Sequence, residues 1–595
     1  MSLEKNEKLE LTRHSLSHVM AAAVLKLYPK AKFAIGPAVD NGFYYDLDFA
    51  KEKLSDSDLA KIEEEMKAII KANLPFEKSE LPVAKALARE KKSGQIYKLE
   101  LIQDLKKQGD ASTGSAQVKT VSYYKLGEFE DLCRGPHLKS SGQIQLGSFK
   151  LEKLAGAYWR GDEKNKMLTR IYGLAFSTRQ ELENYLKMIV EAEKRDHRKL
   201  GKELEIFTFS DEIGAGLPIW LPKGAILREE LEKLAKEKET ELGYQRVSTP
   251  LITKEDLFYK SGHLPHYKES MYSPMEIDGE KYYLKPMNCP FHHTIYASKP
   301  RSYRELPLKL AEYGMCHRYE KSGELQGLFR VRAMMMNDAH IYVRPDQVKA
   351  EIKEVIELHE YYYKLFGVKT IKYRLSKHDP KDLGGKYVNL PKAWEANEQI
   401  LREVLQELKA DFYEAENEAA FYGPKIDINI YSVIGKEYTL GTIQLDFAQP
   451  QKFNLTYIDK DGKDKMPYCI HRAPLSVHER FIGFLIEHYA GAFPVWLSPV
   501  QVKIVSVGAT HVEFCKKLAK EFIENNIRVE VDETDETVGN KIRKAVAEKV
   551  PYMLVVGDRE MNSDKLAVRD RGEKTTREIA KREFMEEVKE KIKNR

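Results

Sequence analysis

A long, charged, helix-prone stretch at residues 178–204 constrains the fold most strongly, because it divides the chain into two parts. The stretch contains no proline and only one glycine, Gly201, and polar helices of this kind commonly bridge domains. A chain of 595 residues is too long for a single hydrophobic core, so we expect about three or four domains. The first boundary is therefore predicted here, with a linker helix over residues 177–205.

Apolar patterning differs on the two sides of this linker. Residues 1–176 combine an amphipathic helix over residues 10–28 with strand-like and turn-like segments, which predicts an α+β domain. In residues 206–490, strand-like runs alternate apolar and polar residues, which predicts antiparallel strands with one polar face. The alternating residues are Ile426, Ile428 and Ile430 in one run and Thr442, Gln444 and Asp446 in the next.

The C-terminal part, residues 491–595, has a third pattern. The apolar segments VKIVSV, IRVEV and YMLVVG alternate there with helical stretches, which is typical of a small α/β domain. The fold class predicted for the whole chain is therefore multidomain, with α+β and α/β parts.

Charge and cysteine usage indicate a cytoplasmic protein without a membrane segment. The net charge is only +5, so an RNA-binding surface has to be a local basic patch. The five cysteines are scattered singly, which argues against a secreted disulfide scaffold, and no apolar run approaches the roughly 20 residues that span a bilayer. The cysteines are Cys133, Cys289, Cys316, Cys469 and Cys515.

Two pairs of residues with a four-residue spacing form the first candidate site. His14 and His18 lie on one face of a predicted helix, and Cys133 and His137 are spaced likewise in DLCRGPHL. Three interpretations fit this pattern: an ordinary polar face, a four-ligand zinc site, or a metal-free hydrolytic site in which imidazoles and a thiol orient water. Spacing alone does not separate them.

Other candidate residues are weak when taken singly. Cys289, His340 and His471 are 51 and 131 residues apart, a spacing that carries no metal-site signature and favours unrelated buried residues. Arg318 and Glu320 by themselves suit a solvated ion pair. The sequence also lacks a Walker phosphate loop, a Rossmann glycine motif and an H-E-x-x-H zinc helix.

Longer segments relate the first site to a known family. RHSLSHVMAAAV, AIGPAVDNGFYYD, DLCRGPH and AGAYWRGDEKNKMLTRIYG together resemble the editing domain shared by threonyl- and alanyl-tRNA synthetases, and the last segment points to the threonyl branch. The resemblance implies that residues 1–176 hydrolyse seryl-tRNA at a site that is not a structural metal site. The implied editing residues are His14, His18, Lys98, Asp131, Cys133 and His137.

Three later segments resemble motifs 1, 2 and 3 of class II aminoacyl-tRNA synthetases, whose catalytic domain is built on an antiparallel sheet. They are YQRVSTPLI, CHRYEKSGELQGLFRVRAMMMNDAHIY and HRAPLSVHERFIGFLIE. Attack of a carboxylate on the α-phosphate brings anions together, so fixed arginines suit the reaction. The resemblance implies a catalytic role for Arg318 and Arg480, with Mg²⁺ accompanying ATP. The implied ATP-binding residues are Arg318, Glu320, Arg330, Met334, Lys425, Thr442, Gln444 and Arg480.

The chain departs from the family pattern at three positions. Met334 stands where an aromatic residue normally stacks on adenine, and a methionine can still pack on a ring through its sulfur. Met336 replaces a glutamine, and Ser476 replaces a glycine in motif 3. These differences bear on the affinity for ATP more than on the type of reaction.

The surroundings of Cys289, His340 and His471 resemble the threonyl enzyme, in which these positions bind one catalytic zinc per chain. Three protein ligands leave an open position, which implies that L-threonine binds there, with Asp338 accepting from its hydroxyl and Tyr422 lining the pocket. A polar site of this kind rejects valine, whereas serine lacks only a methyl group, worth about 1–3 kcal/mol. A second, editing site is therefore expected in the same chain.

Residues 491–595 resemble the anticodon-binding domain of this synthetase group, which implies tRNA(Thr) as a partner. Glu560 and Arg569 match positions that contact anticodon bases, whereas Thr534 and Asp535 replace the usual arginine and asparagine. Motif 1, with Pro250, implies a homodimer.

Many members of the family begin with a small TGS domain, and this chain starts at the editing domain. Two alternatives stay open: a sibling class II synthetase, prolyl or seryl, and a synthetase-derived regulatory or RNA-binding paralog that has lost catalysis.

Overall fold

The computed structural model describes residues 2–50, 52–108, 118–369, 371–432 and 435–595. The chain divides into two compact units, Met1–Val190 and Glu191–Arg595. The division falls within a single helix, Arg179–Arg195, inside the stretch predicted as a linker.

The first unit combines helices with antiparallel sheets, as the sequence predicts. Its helices and strands are α1 (Ser2–Leu27), β1 (Lys32–Phe33), β2 (Ala38–Val39), β3 (Gly42–Asp48), α2 (Asp56–Lys71), β4 (Glu77–Pro82), α3 (Val83–Ser93), α4 (Ile96–Gln108), β5 (Thr120–Leu126), β6 (Phe129–Leu132), β7 (Phe149–Tyr158), β8 (Met167–Ala175) and α5 (Arg179–Arg195), with 3₁₀ turns at Ser141–Gln143 and Trp159–Gly161. One sheet has the order β1-β3-β8-β7 with β2 paired to β3, and a second has the order β4-β5-β6.

Helix α1 starts earlier than predicted, at Ser2 rather than near residue 10. Its C-terminal half packs against α2 and β3, and Leu16, Val19 and Met20 are completely buried there. Leu27, expected on the same apolar face, is 38% exposed because it is the last residue of the helix.

The predicted linker helix is interrupted. Helix α5 ends at Arg195, and α6 (His197–Glu203) begins two residues later. The side chain of Asp196 accepts a hydrogen bond of 2.8 Å from the backbone N–H of Arg198, which caps the new helix and ends the old one.

The second unit begins with an antiparallel core. Its elements are α6, β9 (Phe207–Thr208), β10 (Ile219–Trp220), α7 (Pro222–Glu241), β11 (Gln245–Arg246), β12 (Ile252–Lys254), α8 (Glu255–Ser261), α9 (His263–Tyr267), β13 (Met275–Ile277), β14 (Glu280–Leu284), α10 (Cys289–Ala297), β15 (Leu308–His317), β16 (Ala333–Val343), α11 (Val348–Leu365), β17 (Ile371–Ser376), α12 (Pro391–Glu407), β18 (Phe412–Ala415), β19 (Lys425–Tyr431), β20 (Glu437–Asp446), α13 (Gln449–Lys452), β21 (Tyr457–Ile458), β22 (Asp464–Lys465), β23 (Tyr468–Arg472) and α14 (His478–Tyr489). Its 3₁₀ turns are Lys268–Ser270, Tyr303–Glu305, Ser322–Glu324, Pro345–Gln347 and Pro380–Asp382.

The main sheet of this core has the order β11-β15-β16-β23-β20-β19-β17-β18, and its central strands are antiparallel. Because side chains alternate across a strand, one face is apolar and packs on α7, α11, α12 and α14, with Ile426, Ile428 and Ile430 among its buried residues. The neighbouring positions, such as Thr442 and Gln444, point to the opposite face. The predicted division into one apolar and one polar face is confirmed.

The C-terminal region has the predicted α/β pattern. Its elements are β24 (Val502–Ser506), α15 (Val512–Glu524), β25 (Val529–Asp532), α16 (Val538–Ala547), β26 (Tyr552–Val556), α17 (Asp558–Met561), β27 (Lys565–Asp570), β28 (Arg577–Ala580) and α18 (Lys581–Lys593), with a 3₁₀ turn at Ala509–His511. Strands β25, β24 and β26 are parallel, and β27 and β28 extend the sheet antiparallel.

A membrane-spanning segment was not expected. Among the helices of the described ranges, none has both the length and the apolar character that crossing a bilayer requires.

Candidate active sites

The polar face of the main sheet lines a cavity of about 490 Å³. Four strands contribute the residues that alternate with the buried apolar ones, namely β16, β19, β20 and β23. Because successive side chains of a strand point to opposite faces, these polar residues all lie on the same face of the sheet. The predicted residues along this cavity are Cys289, Arg318, Met334, Asp338, His340, Tyr422, Lys425, Thr442, Gln444, His471 and Arg480.

Cys289, His340 and His471 converge in the wall of this cavity. His340 on β16 stands directly opposite His471 on β23 in the antiparallel register, and Cys289 is the first residue of α10. One donor atom from each residue lies within 4.8 Å of the others. The interpretation as unrelated buried residues is therefore wrong: two sheet positions and a helix start bring together three groups that are far apart in sequence.

Polar groups hold the two imidazoles in place. His471 Nε2 is 3.1 Å from Asp446 Oδ2, and His340 Nδ1 is 2.8 Å from His292 Nδ1. Burial raises the pKa of the Cys289 thiol well above its ordinary value and lowers the pKa of His340 well below its ordinary value. A neutral imidazole is the form that binds a metal, and a bound cation favours the thiolate.

Two of the predicted arginines also line this cavity. Arg318 follows the end of β15, and Arg480 lies in the first turn of α14. Burial lowers the pKa of Arg480, and the nearby positive charges of Arg318 and Arg330 lower it further. Such a concentration of cations in a cleft favours a bound anion.

Glu320 and Arg330, two further predicted ATP contacts, lie outside the lining of the cavity and pair with each other. Arg330 Nε is 2.8 Å from Glu320 Oε2, and Glu324 approaches the same guanidinium at 3.1 Å. The Arg330 side chain is 48% exposed, and exposed ion pairs of this kind are weak. Little free energy is therefore needed to separate this pair.

Four further predicted residues of the cavity make polar contacts in two separate groups. The hydroxyl of Tyr422 donates to Gln444 Oε1. Lys425 Nζ lies 2.9 Å from a carboxylate oxygen of Asp427, and the Thr442 hydroxyl donates to the same carboxylate at 3.4 Å. Asp427 was not predicted as a site residue, although its alternation with buried isoleucines places it on the same polar face as Lys425.

Asp338 has a partner that was also missed. Asn288, the residue before Cys289, donates a hydrogen bond of 3.0 Å to Asp338 Oδ2. Burial raises the pKa of Asp338, although His292 and the bond from Asn288 lower it in part. The adjacency of Asn288 to the predicted ligand Cys289 was the available signal.

The three departures from the family pattern all lie beside this cavity. Met334 is buried and packs with Cys316, Val331 and Val477. Ser476 has a φ of 53°, in the left-handed region that favours glycine, which gives a physical reason for the usual glycine at this position.

In the first unit, the four residues of the other constellation meet. The rings of His14 and His137 are 4.1 Å apart, and those of His18 and His137 are 4.2 Å apart. Cys133 Sγ lies 3.3 Å from His14 Nε2 and 3.4 Å from His137 Nε2. An ordinary polar face is therefore excluded, while the donor atoms, all within 4.8 Å of one another, are compatible with both remaining interpretations.

Lys98 and Asp131 complete this cluster. Lys98 Nζ lies 2.6 Å from Asp131 Oδ1, and the Tyr45 hydroxyl donates to the same carboxylate. Burial lowers the pKa of His18 well below its ordinary value and raises the pKa of Cys133. A neutral imidazole and thiol can accept or donate a proton at a bound water.

The predicted anticodon contacts lie on the C-terminal α/β region. Glu560 is on α17 and accepts from the backbone N–H of Gly557 at 3.0 Å. Arg569 is on β27 and donates to the carbonyl of Glu573 at 2.7 Å. Thr534 bonds through its hydroxyl to Asp532 at 2.6 Å, so its side chain is already engaged within the loop.

Three protein families match separate parts of the chain. Residues 121–172 match the threonyl and alanyl tRNA synthetase second additional domain. Residues 272–489 match the tRNA synthetase class II core domain for G, H, P, S and T, and residues 501–591 match the anticodon binding domain.

Relatives match almost the whole chain. The threonine–tRNA ligase of Geobacillus kaustophilus (strain HTA426) is 50% identical over 580 residues, which are 97% of this chain and 87% of that protein. The chain belongs to the threonine–tRNA ligase family. Threonine–tRNA ligase 1 of Bacillus subtilis (strain 168) is 48% identical over 98% of this chain and 88% of its own length. Membership of this family excludes a prolyl or seryl sibling.

Solved structures of the family agree. The RNA-binding domain of threonyl-tRNA synthetase from Cryptosporidium parvum Iowa II has a TM-score of 0.63 and 34% identity, covering 66% of this chain and 98% of that one. The putative threonyl-tRNA synthetase ThrRS-1 from Aeropyrum pernix has a TM-score of 0.59 and 30% identity, covering 67% of this chain and 96% of that one. The threonine–tRNA ligase fold predicted from the motifs, with editing, class II and anticodon-binding domains, is thus confirmed.

Proposed function

We propose that this chain activates L-threonine with ATP, transfers the threonyl group to tRNA(Thr) and hydrolyses seryl-tRNA(Thr), and that the two clusters described above carry these reactions. The observation that carries the proposal is the convergence of Cys289, His340 and His471 in the same cavity as Arg318 and Arg480. A metal-binding donor set and an anion site then share one pocket, as a hydroxy amino acid and ATP require.

The activation step needs positive charge more than a covalent nucleophile. A carboxylate oxygen of threonine attacks the α-phosphorus of ATP, the bond from this phosphorus to the oxygen that bridges to the β-phosphate breaks, and pyrophosphate leaves. Mg²⁺ bound together with ATP would neutralise part of the phosphate charge. Arg318 and Arg480 are placed to bind the phosphate oxygens, because both line the cavity and a guanidinium binds phosphate with two parallel bonds. Arg330 joins them when it exchanges Glu320 for a phosphate.

The same pocket suits adenine and ribose. Lys425, Thr442 and Gln444 stand on neighbouring strands of the cavity wall, and Met334 offers its sulfur to the base. In the transfer step, the terminal ribose hydroxyl of the tRNA attacks the carbonyl carbon of the adenylate, and AMP leaves. We assign Glu320 to the adenine amino group, from which its carboxylate can accept a hydrogen bond once it is released from Arg330.

The residues around Cys289 fit one Zn²⁺. Two imidazoles and a thiol are ligands that zinc prefers, and three protein ligands leave a position for substrate. When bound, zinc acts as a Lewis acid that holds amino and hydroxyl groups. Asp338, buried two residues before His340 on β16, accepts from the threonine hydroxyl. Tyr422 lines the pocket beside His471, whose ring lies 5.2 Å away.

Editing belongs to the first unit. We assign His14, His18, Cys133 and His137 to the orientation of a water molecule and the ribose, without a metal. Lys98 and Asp131 then hold the aminoacyl ester beside them. The water attacks the ester carbonyl carbon, the bond to the ribose oxygen breaks, and serine and tRNA leave.

The C-terminal region takes the anticodon. Glu560 can accept from a base edge, and Arg569 offers a planar fork of donors. In the structure, Glu560 accepts from Gly557 and Arg569 donates to Glu573, and both contacts are local in sequence.

A homodimer in the cytoplasm is the assembly that we propose. Next to Pro250 of motif 1, Leu251 and Ile252 are 49% and 41% exposed, and Met275 and Ile277 on the same small sheet are 39% and 46% exposed. Exposed apolar residues grouped in this way favour a protein interface. A monomeric mass in light scattering would contradict the assembly.

Zinc content and threonine-dependent ATP–pyrophosphate exchange test the main proposal. We expect about one zinc per chain in the wild type, and loss of both zinc and exchange in Cys289→Ser. Cys515→Ser is the matched control, because Cys515 is equally buried but lies in the C-terminal region. Active protein without zinc, or zinc retained in Cys289→Ser, would remove the basis for the threonine-selecting site.

A further inference from the structure

His197, the first residue of α6, has both ring nitrogens engaged in the interior of the second unit. Nδ1 lies 2.8 Å from Glu487 Oε1 on α14, and Nε2 is 3.0 Å from the backbone nitrogen of Leu328. Leu328 belongs to the loop between β15 and β16, so one side chain joins this loop to α14. Only 2% of the His197 surface is exposed.

The partners fix the tautomer of the ring. A backbone N–H can only donate, so Nε2 accepts and the proton is on Nδ1, which donates to Glu487. Burial would raise the pKa of Glu487, but the hydrogen bonds from His197, Tyr438 and Lys436 hold it below its ordinary value. Donor atoms of Asp196, His197 and Glu487 lie close enough for a metal ion, but the two bonds leave no ring nitrogen for a cation.

Close packing accompanies these bonds. Gly327 has a φ of 51°, and a Cβ at this residue would lie 2.3 Å from His197 Nε2. On α14, a Cβ at Gly483 would lie 3.2 Å from the Leu328 Cβ. Two glycines therefore let the loop and the helix approach the imidazole, whose ring also meets the Phe329 ring edge-on at 4.3 Å.

The loop held in this way carries groups of the anion site. The carbonyl of Phe329 accepts a hydrogen bond of 3.3 Å from Arg480 Nε, and Arg330 is the next residue. A displacement of Leu328 would therefore move Arg330 and remove a backbone acceptor that orients Arg480.

We propose that His197 is a positioning residue for ATP binding, which fastens the loop of Arg330 to the helix of Arg480. The inference rests on the proposed roles of these two arginines. A loop that is already fixed loses less conformational entropy when ATP binds, so its arginines can bind the phosphates with a smaller loss of free energy. The residue that does this lies near the start of the second unit, and not in any of the three class II motifs.

Two substitutions separate the bonds of the imidazole. In His197→Asn the amide nitrogen takes the place of Nδ1 and keeps the bond to Glu487, but nothing reaches Leu328. In His197→Gln the amide oxygen takes the place of Nε2 and can accept from Leu328. We expect His197→Asn to raise the KM for ATP in ATP–pyrophosphate exchange about tenfold, with kcat changed less, and His197→Gln to restore most of the affinity.

Two controls accompany this pair. Lys199→Ala alters an exposed residue of the same helix and should behave as the wild type. Gly327→Ala pushes a methyl group against the ring and should raise the KM for ATP as His197→Asn does. Equal KM values for His197→Asn and the wild type would overturn the inference. Equal losses of kcat in the Asn and Gln variants, together with a lower Tm, would also overturn it. His197 would then stabilise the fold without a specific effect on ATP binding.

Arg330→Ala and Arg480→Ala in the same assay show which proposal fails. If both arginine variants raise the KM for ATP and His197→Asn does not, only the role of His197 is wrong. If the arginine variants bind ATP as the wild type does, the proposed nucleotide site itself is wrong, and the role of His197 falls with it.

Discussion

Lys98 Nζ and Asp131 Oδ1 form an ion pair of 2.6 Å although both side chains are at least 94% buried. Removal of one partner leaves a buried charge without compensation, which costs about 3–5 kcal/mol. We therefore expect Lys98→Met to lower the Tm of the first unit and to abolish hydrolysis of seryl-tRNA. Lys26→Ala, which removes a largely exposed lysine from its pair with Glu65, should change neither quantity. A Lys98→Met protein with unchanged Tm would show that Asp131 takes up a proton or another partner.

The editing cluster should be separable from aminoacylation. We expect His18→Ala or Cys133→Ala to leave the rate of threonylation intact and to let seryl-tRNA(Thr) accumulate, because both residues lie in the first unit. Release of serine from preformed seryl-tRNA measures the effect. Clearance at the wild-type rate would contradict the assignment.

Zinc stoichiometry distinguishes the two remaining interpretations of that cluster. If the editing site works without a metal, the wild type carries about one zinc per chain, and Cys133→Ala carries the same amount. About two zinc ions per chain, with one lost in Cys133→Ala, would instead indicate a metal held by His14, His18, Cys133 and His137. Elemental analysis of dialysed protein gives the answer without any activity measurement.

Glu479 should make stability depend on pH. Burial raises the pKa of this carboxyl to about 7, and its Oε2 accepts from the backbone N–H of Met335 at 3.0 Å. Because the folded pKa lies above the unfolded one, the folded protein binds the proton more tightly, and stability falls as pH rises from about 4.5 to about 7. Glu479→Gln imitates the protonated form, so its Tm should equal that of the wild type near pH 4.5 and exceed it at pH 8. A constant difference in Tm across this range would rule the effect out.

Ser476→Gly should stabilise the second unit. A non-glycine residue at a φ of 53° carries about 1–3 kcal/mol of backbone strain, which glycine would relieve. Glycine also has a larger conformational entropy in the unfolded state, and this offsets part of the stabilisation. We expect a net gain of about 1 kcal/mol, visible as a higher Tm, with ATP–pyrophosphate exchange retained. A lower Tm would mean that the serine side chain makes a compensating contact.

The sequence predicted the fold through local periodicity and the sites through motif context. The alternation of Ile426, Ile428 and Ile430 was enough to define the apolar face of a strand, because the extended backbone alone determines to which face each side chain points. The end of α5 at Arg195 was missed, since a single Asp196 cap outweighs the helix propensity of the charged residues around it.

The spacing of residues in the sequence could not predict which distant residues meet in the fold. Nothing in the separations of Cys289, His340 and His471 indicates that they meet, because strand order decides this and strand order depends on the whole sheet. For the same reason, the contacts of Asp446 with His471 and of His292 with His340 could not be predicted from the sequence, because these residues lie on other elements. The pairing of Glu320 with Arg330 was not predicted for a different reason. The resemblance to motif 2 implies contacts of these residues with ATP, and therefore not the contact that they make with each other in its absence.

The opposition of His340 and His471 across β16 and β23 has a consequence for variation in chain length. A ladder of backbone hydrogen bonds defines the distance between the two imidazoles, so the 130 residues between them contribute nothing to it as long as both strands enter the sheet in register. Turns and surface helices in that interval can lengthen or shorten freely. A single insertion inside either strand, by contrast, would turn one imidazole to the opposite face of the sheet and leave an otherwise intact domain without its pair.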